Sequence, residues 1–302
     1  MRRILFFVNN NWVFGKIHNA LIKTLYPEYL CDIRCWTTNL SDLEAKYFNE
    51  KYDLFISTPE GCHHLATQSG IPYSKLVAIA HADWDIHVAV TQNGMTDENF
   101  QALRGYAVIC PLMQQISFVY GIPRIPAVLP IGVTCADYVR PPSQALTRIG
   151  YFGKYERTLP SQLDIKRGYL AERVAKAAGV ELVRQEGVHF LVTESLYKSV
   201  DLVMFCSLIE GNPYVALESF AAGVPVLGTA TGIFPELAKS GGGGVLPFEE
   251  DEFVANAVEV IRALQENPDL YQRMSAAALA EGKKHDWSVL KQTWLEFLQS
   301  LS

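Results

Sequence analysis

The chain has 302 residues, enough for about two domains at roughly 150 residues each, with 49% hydrophobic residues and a formal net charge of -6. An acidic chain with no basic run argues against nucleic acid as a partner and against strong adhesion to anionic lipid. No apolar run nears the ~18 residues that span a bilayer, the apolar start after Met1-Arg2-Arg3 is too short for a secretion signal, and six scattered cysteines form no disulfide framework, so a reduced cytoplasmic protein is expected.

Short β-rich runs alternate with longer helical ones. Ile4 to Val8 reads as a buried strand, followed by a helix from about Val13 to Leu25. Cys31 to Cys35 spans another strand. Ser41-Asp42-Leu43-Glu44 has capping-box spacing and opens a second helix. Asp53 to Ser57, Leu76 to His81 and Tyr106 to Cys110 read as strands; Pro111 to Tyr120 reads as a helix stopped by Gly121 and Pro123. A proline-rich stretch holds Pro123, Pro126, Pro130, Pro141 and Pro142. A second series then follows, with strands at Thr147 to Phe152, Val188 to Val192, Leu202 to Cys206, Val224 to Leu227 and Gly244 to Leu246. Three helices close the chain near 251–265, 268–284 and 286–300. This alternation predicts α/β domains with parallel sheets and helical crossovers, one over 1–140 and one over 141–302. Ligands of such sheets lie at the carboxyl ends of strands, so two domains place the expected site in the cleft between them.

The most informative stretch runs from Asp201 to Glu236. Its strand ends near Cys206; Asn212 suits an N-cap and Pro213 a first helical position. Gly211 permits close approach of a ligand to the backbone. The bare helix start at 211–214 favours anionic or hydroxyl oxygens. Glu210 lies before the helix and Glu218 more than a turn inside it; each carboxylate can accept two hydroxyls. One unit later a strand leads into a Thr231-Gly232 turn and a helix start at Pro235-Glu236, which offers amides to a diphosphate.

These residues resemble glycosyltransferase family 4, the retaining family of GT-B architecture, in which two Rossmann-like domains face a cleft. Glu210 and Glu218 match its Glu-x7-Glu motif; Ala222-Gly223-Val224-Pro225-Val226 and Gly232-Ile233-Phe234-Pro235-Glu236 match two further motifs. Leu129 to Val133 with Tyr138 and Pro141 looks like the family's interdomain link, Ile149 to Lys154 like the first donor-domain strand, and Asp286-Trp287 with the last helix like the segment that packs back toward the N-terminal domain. The resemblance implies that Glu218 holds ribose hydroxyls. Glu210 with Gly211, Asn212, Pro213 and Tyr214 would hold the transferred sugar, and the turn at Thr231-Gly232 the diphosphate. The family's two diphosphate-binding cations are an Arg and a Lys-Gly. Lys154 stands at the first place, and Arg167 of Arg167-Gly168, with Lys166 beside it, at the second after a longer gap. The bland reading of either is ordinary surface charge. The acceptor domain is short for the family.

In the N-terminal half the resemblance is only to the general pattern. Gly15, in the turn after the first strand, would mark the approach to the donor; Asn10, Asn11 and Phe14 replace the family's glycine pair. His81, ending a strand, resembles the family's histidine that faces the donor sugar. Were 81 to 87 extended, His81, Asp83, Asp85 and His87 would share a face and could bind a metal; the commoner outcome is a polar loop or helix with Asp83 or Asp85 capping. Cys62-His63-His64 reads as a helix start with exposed imidazoles rather than a ligand cluster.

The function implied is transfer of a sugar from a nucleotide diphosphate sugar to a hydroxyl of a glycan or other acceptor, with retention and without metal or other cofactor. Membrane contact would be weak and peripheral at most. The alternatives are a nucleotide-sugar epimerase using His81 and Glu210, a non-catalytic subunit that keeps only donor binding, and a metal-dependent transferase using Asp83 and Asp85.

Overall fold

The computed structural model describes residues 1–9, 12–35, 39–153, 164–185 and 193–301. It divides into two compact units: Met1–Gly132 with Trp287–Ser302, and Val133–Asp286. The division falls eight residues before the position expected from the sequence. The reason is local: the short 3-10 turn Cys135–Tyr138 belongs to the second unit, where Tyr138 is fully buried. Val133 also forms a parallel bridge with Asp286, and Asp286 Oδ2 accepts from the Cys135 amide at 2.9 Å. These contacts tie the first and last residues of that unit together.

The first unit holds β1 (Arg2–Val8), α1 (Trp12–Leu25), β2 (Tyr29–Cys35), α2 (Asp42–Lys51), β3 (Leu54–Ser57), α3 (Pro59–Ser69), β4 (Leu76–Ala80), α4 (Asp83–His87), α5 (Asp97–Ala102), β5 (Gly105–Val108), α6 (Pro111–Val119) and β6 (Ala127–Val128). Its sheet is parallel throughout, in the order β2-β1-β3-β4-β5-β6. The strands form where apolar runs are continuous: β3 and β4 are buried at every position, as a sheet covered on both faces requires. Helix starts follow their caps. Ser41 Oγ accepts from the Glu44 amide at 3.3 Å while Glu44 Oε2 accepts from the Ser41 amide at 3.0 Å. Thr58 caps α3 ahead of Pro59, and Gly70 ends it in the left-handed region at φ 65°.

The second unit holds β7 (Arg148–Phe152), α7 (Tyr169–Ala178), β8 (Glu181–Gln185), α8 (Glu194–Lys198), β9 (Leu202–Phe205), α9 (Tyr214–Ala221), β10 (Val226–Thr229), α10 (Phe234–Ala238), β11 (Gly243–Leu246), α11 (Glu250–Glu266) and α12 (Pro268–Lys284). The described strands again run parallel, in the order β11-β10-β9-β7-β8. The expected strand Val188 to Val192 lies outside the described residues. On one face, Ile149, Leu170, Val174, Met204, Phe253 and Ile261 form a closed core under α7 and α11. On the other, α12 lies so close to α9 that a Cβ at Gly282 would stand 2.5 Å from the Phe220 carbonyl carbon. The last helix, α13 (Trp287–Ser300), belongs to the first unit, where the Trp294 indole donates to the Pro130 carbonyl at 3.0 Å.

Candidate functional site

Open parallel sheets bind ligands beyond the carboxyl ends of their strands, where the strand order reverses. In the second unit that point lies between β7 and β9, whose crossovers run to opposite sides. Three contacts join the loops that leave these two strands. The Leu208 amide donates to the Ile165 carbonyl at 2.8 Å. Arg167 Nε donates to the Cys206 carbonyl at 2.8 Å. The Lys166 ammonium forms a short ion pair with Glu210, with the lysine side chain 41% exposed and the glutamate 19%. Asp164 shapes the first loop by accepting the amides of Lys166 and Arg167 at 3.2 and 2.9 Å.

The two neighbouring cations are placed differently. Arg167 is only 4% exposed, and its Nη1 donates to the Phe248 carbonyl at 2.6 Å. Its backbone sits at φ 47°, a conformation rare outside glycine. The guanidinium is thus a buried brace between the β7, β9 and β11 loops, with only Nη2 unpartnered. Lys166 is the cation that reaches the carboxylate and the solvent. Lys154 lies outside the described residues.

Glu210 and Gly211 are set by the next loop. Gly232 has φ 53°, and a Cβ there would stand 2.1 Å from the Gly211 carbonyl oxygen and 2.8 Å from that of Glu210. Only glycine permits both the backbone angle and this approach. Thr229 Oγ1 adds a bond to the Ser207 carbonyl at 2.5 Å. The helix start differs by one residue from expectation: α9 begins at Tyr214, Pro213 stands at the cap with ψ 90°, and the Asn212 side chain bonds no amide. The side-chain cap expected from Asn212 is therefore not formed. Pro213 and Tyr214 are both buried.

Glu218 also sits differently from a carboxylate presented to a ligand diol. It is 6% exposed on the inner side of α9. One oxygen accepts from the Tyr138 and Thr193 hydroxyls, the other from Tyr197 at 2.6 Å. Burial, with the Glu218 charge next in weight, pushes the Tyr138 and Tyr197 phenols far up, so both stay protonated donors. Tyr197 stands edge-on to both Tyr138 and Phe152. No spacing rule in the sequence links Tyr138, Tyr197 and Glu218, which lie 21 to 80 residues apart.

In the first unit, His81 follows β4, as expected, and its imidazole is boxed edge-on by Phe14 at 5.3 Å and His18 at 5.8 Å. Its Nδ1 is sealed and unpartnered. Burial lowers His81 to about 4; burial first, then His81, lowers His18 to about 3. Both rings are neutral at pH 7. His18, buried at 4%, gave no signal beyond its place on the apolar face of α1. Gly15 is not in a turn: it is buried inside α1, and its carbonyl accepts from Asn19 at 2.6 Å. The extended arrangement of His81 to His87 is likewise absent, because α4 forms there. Asp85 accepts the His81 and Ala82 amides at 2.6 and 3.1 Å, and burial raises it to about 6. Cys62 is fully buried in α3, and His63 Nδ1 bonds the Tyr73 hydroxyl at 2.8 Å rather than facing solvent. Among the described residues no three His, Cys, Asp or Glu side chains converge as a metal site. No described helix is long and apolar enough to cross a membrane.

Residues 185–280 match the family model described as glycosyl transferases group 1. The D-inositol 3-phosphate glycosyltransferase of Streptomyces coelicolor is 33% identical over 91 residues, 30% of this chain and 20% of that protein; the chain therefore aligns with about a fifth of this curated relative. Among solved structures, Anabaena Alr3699/HepE in complex with UDP and glucose has a TM-score of 0.72 at 16% identity, over 99% of this chain and 100% of that one. Sucrose-phosphate synthase from Thermosynechococcus elongatus gives 0.70 at 11% identity, over 100% and 99%.

Proposed function

The chain has the GT-B glycosyltransferase fold and carries the group 1 segment in its second unit; from this premise we propose that it transfers a hexose from a nucleoside diphosphate sugar to an acceptor hydroxyl, with retention. The observation that carries the reading is the Lys166–Glu210 pair, held where the strand order reverses, on the loop that leads into α9. A diphosphate needs a cation to balance its charge. A sugar needs a carboxylate within reach of its hydroxyls.

In this reaction the bond from the anomeric carbon to the phosphate oxygen breaks, and a bond to the acceptor oxygen forms on the same face. The acceptor proton passes to the departing phosphate. Lys166 leaves Glu210 for the diphosphate and stabilises its developing charge, and Glu210 takes the sugar hydroxyls. The turn at Thr231 and Gly232 supports the phosphates. No metal is required in this mechanism. The structurally similar Anabaena protein, crystallised with UDP, supports a uridine donor.

The test is turnover of UDP-, GDP-, ADP-, CMP- and dTDP-sugars with chelator present, reading nucleotide release and the anomeric configuration of the product by NMR. Glu210→Gln is expected to lower turnover at least 100-fold while nucleotide affinity changes less than threefold. Inverted product, or loss of activity with chelator, overturns the mechanism; a rearranged sugar formed without acceptor makes the protein an epimerase.

A further inference from the structure

Buried polar atoms nearly always find partners, and those that do not call for an explanation. Of the four described side chains with such atoms in the second unit, one is His285 at the end of α12, and the other three are Arg167, Asn212 and Thr231. Those three lie on the loops leaving β7, β9 and β10, which are adjacent in the sheet, all on the carboxyl edge. The β9 and β10 loops touch through Gly232 and Gly211. Arg167 and Thr231 are 4% and 5% exposed. This clustering at the one edge where the fold binds ligands is a mark of ligand partners.

The chemistry of the three differs. Arg167 Nη2 can only donate, and the Thr231 hydroxyl can donate; both suit a phosphate oxygen, which only accepts. Asn212 leaves both Nδ2 and Oδ1 unmatched. A phosphate would satisfy the amide nitrogen and repel the amide oxygen. Two neighbouring alcohols satisfy both, one accepting and the other donating. Asn212 follows Glu210 by two residues and supplies no helix cap, so neither an interaction within the protein nor the phosphate accounts for its amide.

We propose that the Asn212 side chain is a specificity-determining contact that reads a pair of neighbouring hydroxyls on the transferred sugar. The substrate class is therefore a nucleoside diphosphate sugar with that diol free, not a deoxy sugar at either position. This rests on the donor-binding reading above.

Calorimetry separates the two. UDP and UDP-glucose are titrated into wild type, Asn212→Ala and Asn212→Asp, with GDP, ADP and dTDP counterparts where UDP does not bind. Asn212→Ala is expected to keep UDP affinity within twofold and to weaken UDP-glucose on the order of 10- to 100-fold. Asn212→Asp keeps shape and acceptors but loses the donor, and should fall between. Monodeoxy UDP-glucose analogues should weaken on wild type by a similar factor and lose nothing further on Asn212→Ala. Equal loss of UDP and UDP-glucose makes Asn212 a structural or phosphate-side residue and overturns the proposal, as does unchanged UDP-glucose affinity in both variants. Failure of every nucleotide and nucleotide sugar to bind wild type overturns the donor-binding reading itself, with this inference.

Discussion

At the scale of single residues, the second unit uses buried carboxylates as organisers. Asp201, 5% exposed, accepts the Thr147 and Arg148 amides at 2.9 Å each and the Ser143 hydroxyl at 2.6 Å. Burial alone would raise its pKa, but the bonds from Ser143, Thr147 and Arg148 together outweigh that and hold it below the usual carboxylate value. Its stabilising effect is complete above about pH 4 and fades as pH falls through the lower folded value. Asp201→Ala is expected to lower stability by about 2–4 kcal/mol at pH 7, and by less at pH 3, in urea unfolding. Glu218 acts likewise on Tyr138 and Tyr197. Glu218→Ala strands two phenol hydroxyls and should cost about 3 kcal/mol or more. If nucleotide affinity falls in that variant while stability does not, the ribose contact outweighs the structural one. The Glu-x7-Glu spacing was legible; that its second member is walled in by two tyrosines was not, because pairing across 21 and 80 residues leaves no local pattern.

At the scale of elements, the strands and capped helices were readable because their causes are local. Apolar runs gave β1, β3 and β4, and Ser41 with Glu44 gave the start of α2. The misses have local causes too. The strand β8, last in the order of the described strands, is exposed at several positions and carries only Leu182 and Val183 as an apolar centre, so no strand signal stood in the sequence there. Asn212-Pro213 looked like a cap and a first helical residue, but Pro213 keeps an extended ψ, which moves the helix start to Tyr214. Gly232 carries the element-scale prediction. A methyl group there meets the Gly211 carbonyl at 2.1 Å in a backbone conformation alanine disfavours. Gly232→Ala should therefore push the Glu210 loop aside. Stability should fall by about 1–3 kcal/mol, and nucleotide-sugar binding should weaken far more than in Gly153→Ala, whose Cβ would meet no atom of the described residues closer than 3.7 Å. Equal effects of the two substitutions on binding would show that the loop contact does not set the site.

At the scale of the whole molecule, the two units differ in how they carry ionisable groups, and acid should expose the difference. The first unit holds His18, buried, and His81, half-buried, as neutral rings in mutual contact. Burial, and for His18 also its neighbour His81, hold them at about 3 and 4, below the ordinary 6.5. The unfolded chain takes up protons from pH 6.5 downward, whereas the folded chain does not. Their contribution is therefore complete above pH 6.5 and is lost as pH falls, at about 1.4 kcal/mol per unit for the fully buried His18. Asp85 opposes them: burial raises it to about 6, so the fold binds its proton first and gains from about pH 6 down to 4. Burial lowers His63 as well, so three histidines against one carboxylate leave a net loss. In the second unit, burial also lowers His285, but Glu281 beside it offsets part of that. Hydrogen exchange at pH 5 should accordingly show β1, β3 and β4 opening before β7, β9 and β10, with the order lost at pH 7.5. His18→Phe keeps the ring packing among Phe6, Phe14 and His81 but removes one titration, and should flatten the stability change between pH 7 and 5 by about 2 kcal/mol. An unchanged slope in that variant, or earlier opening of β9 and β10, would mean that these two imidazoles do not govern the acid response.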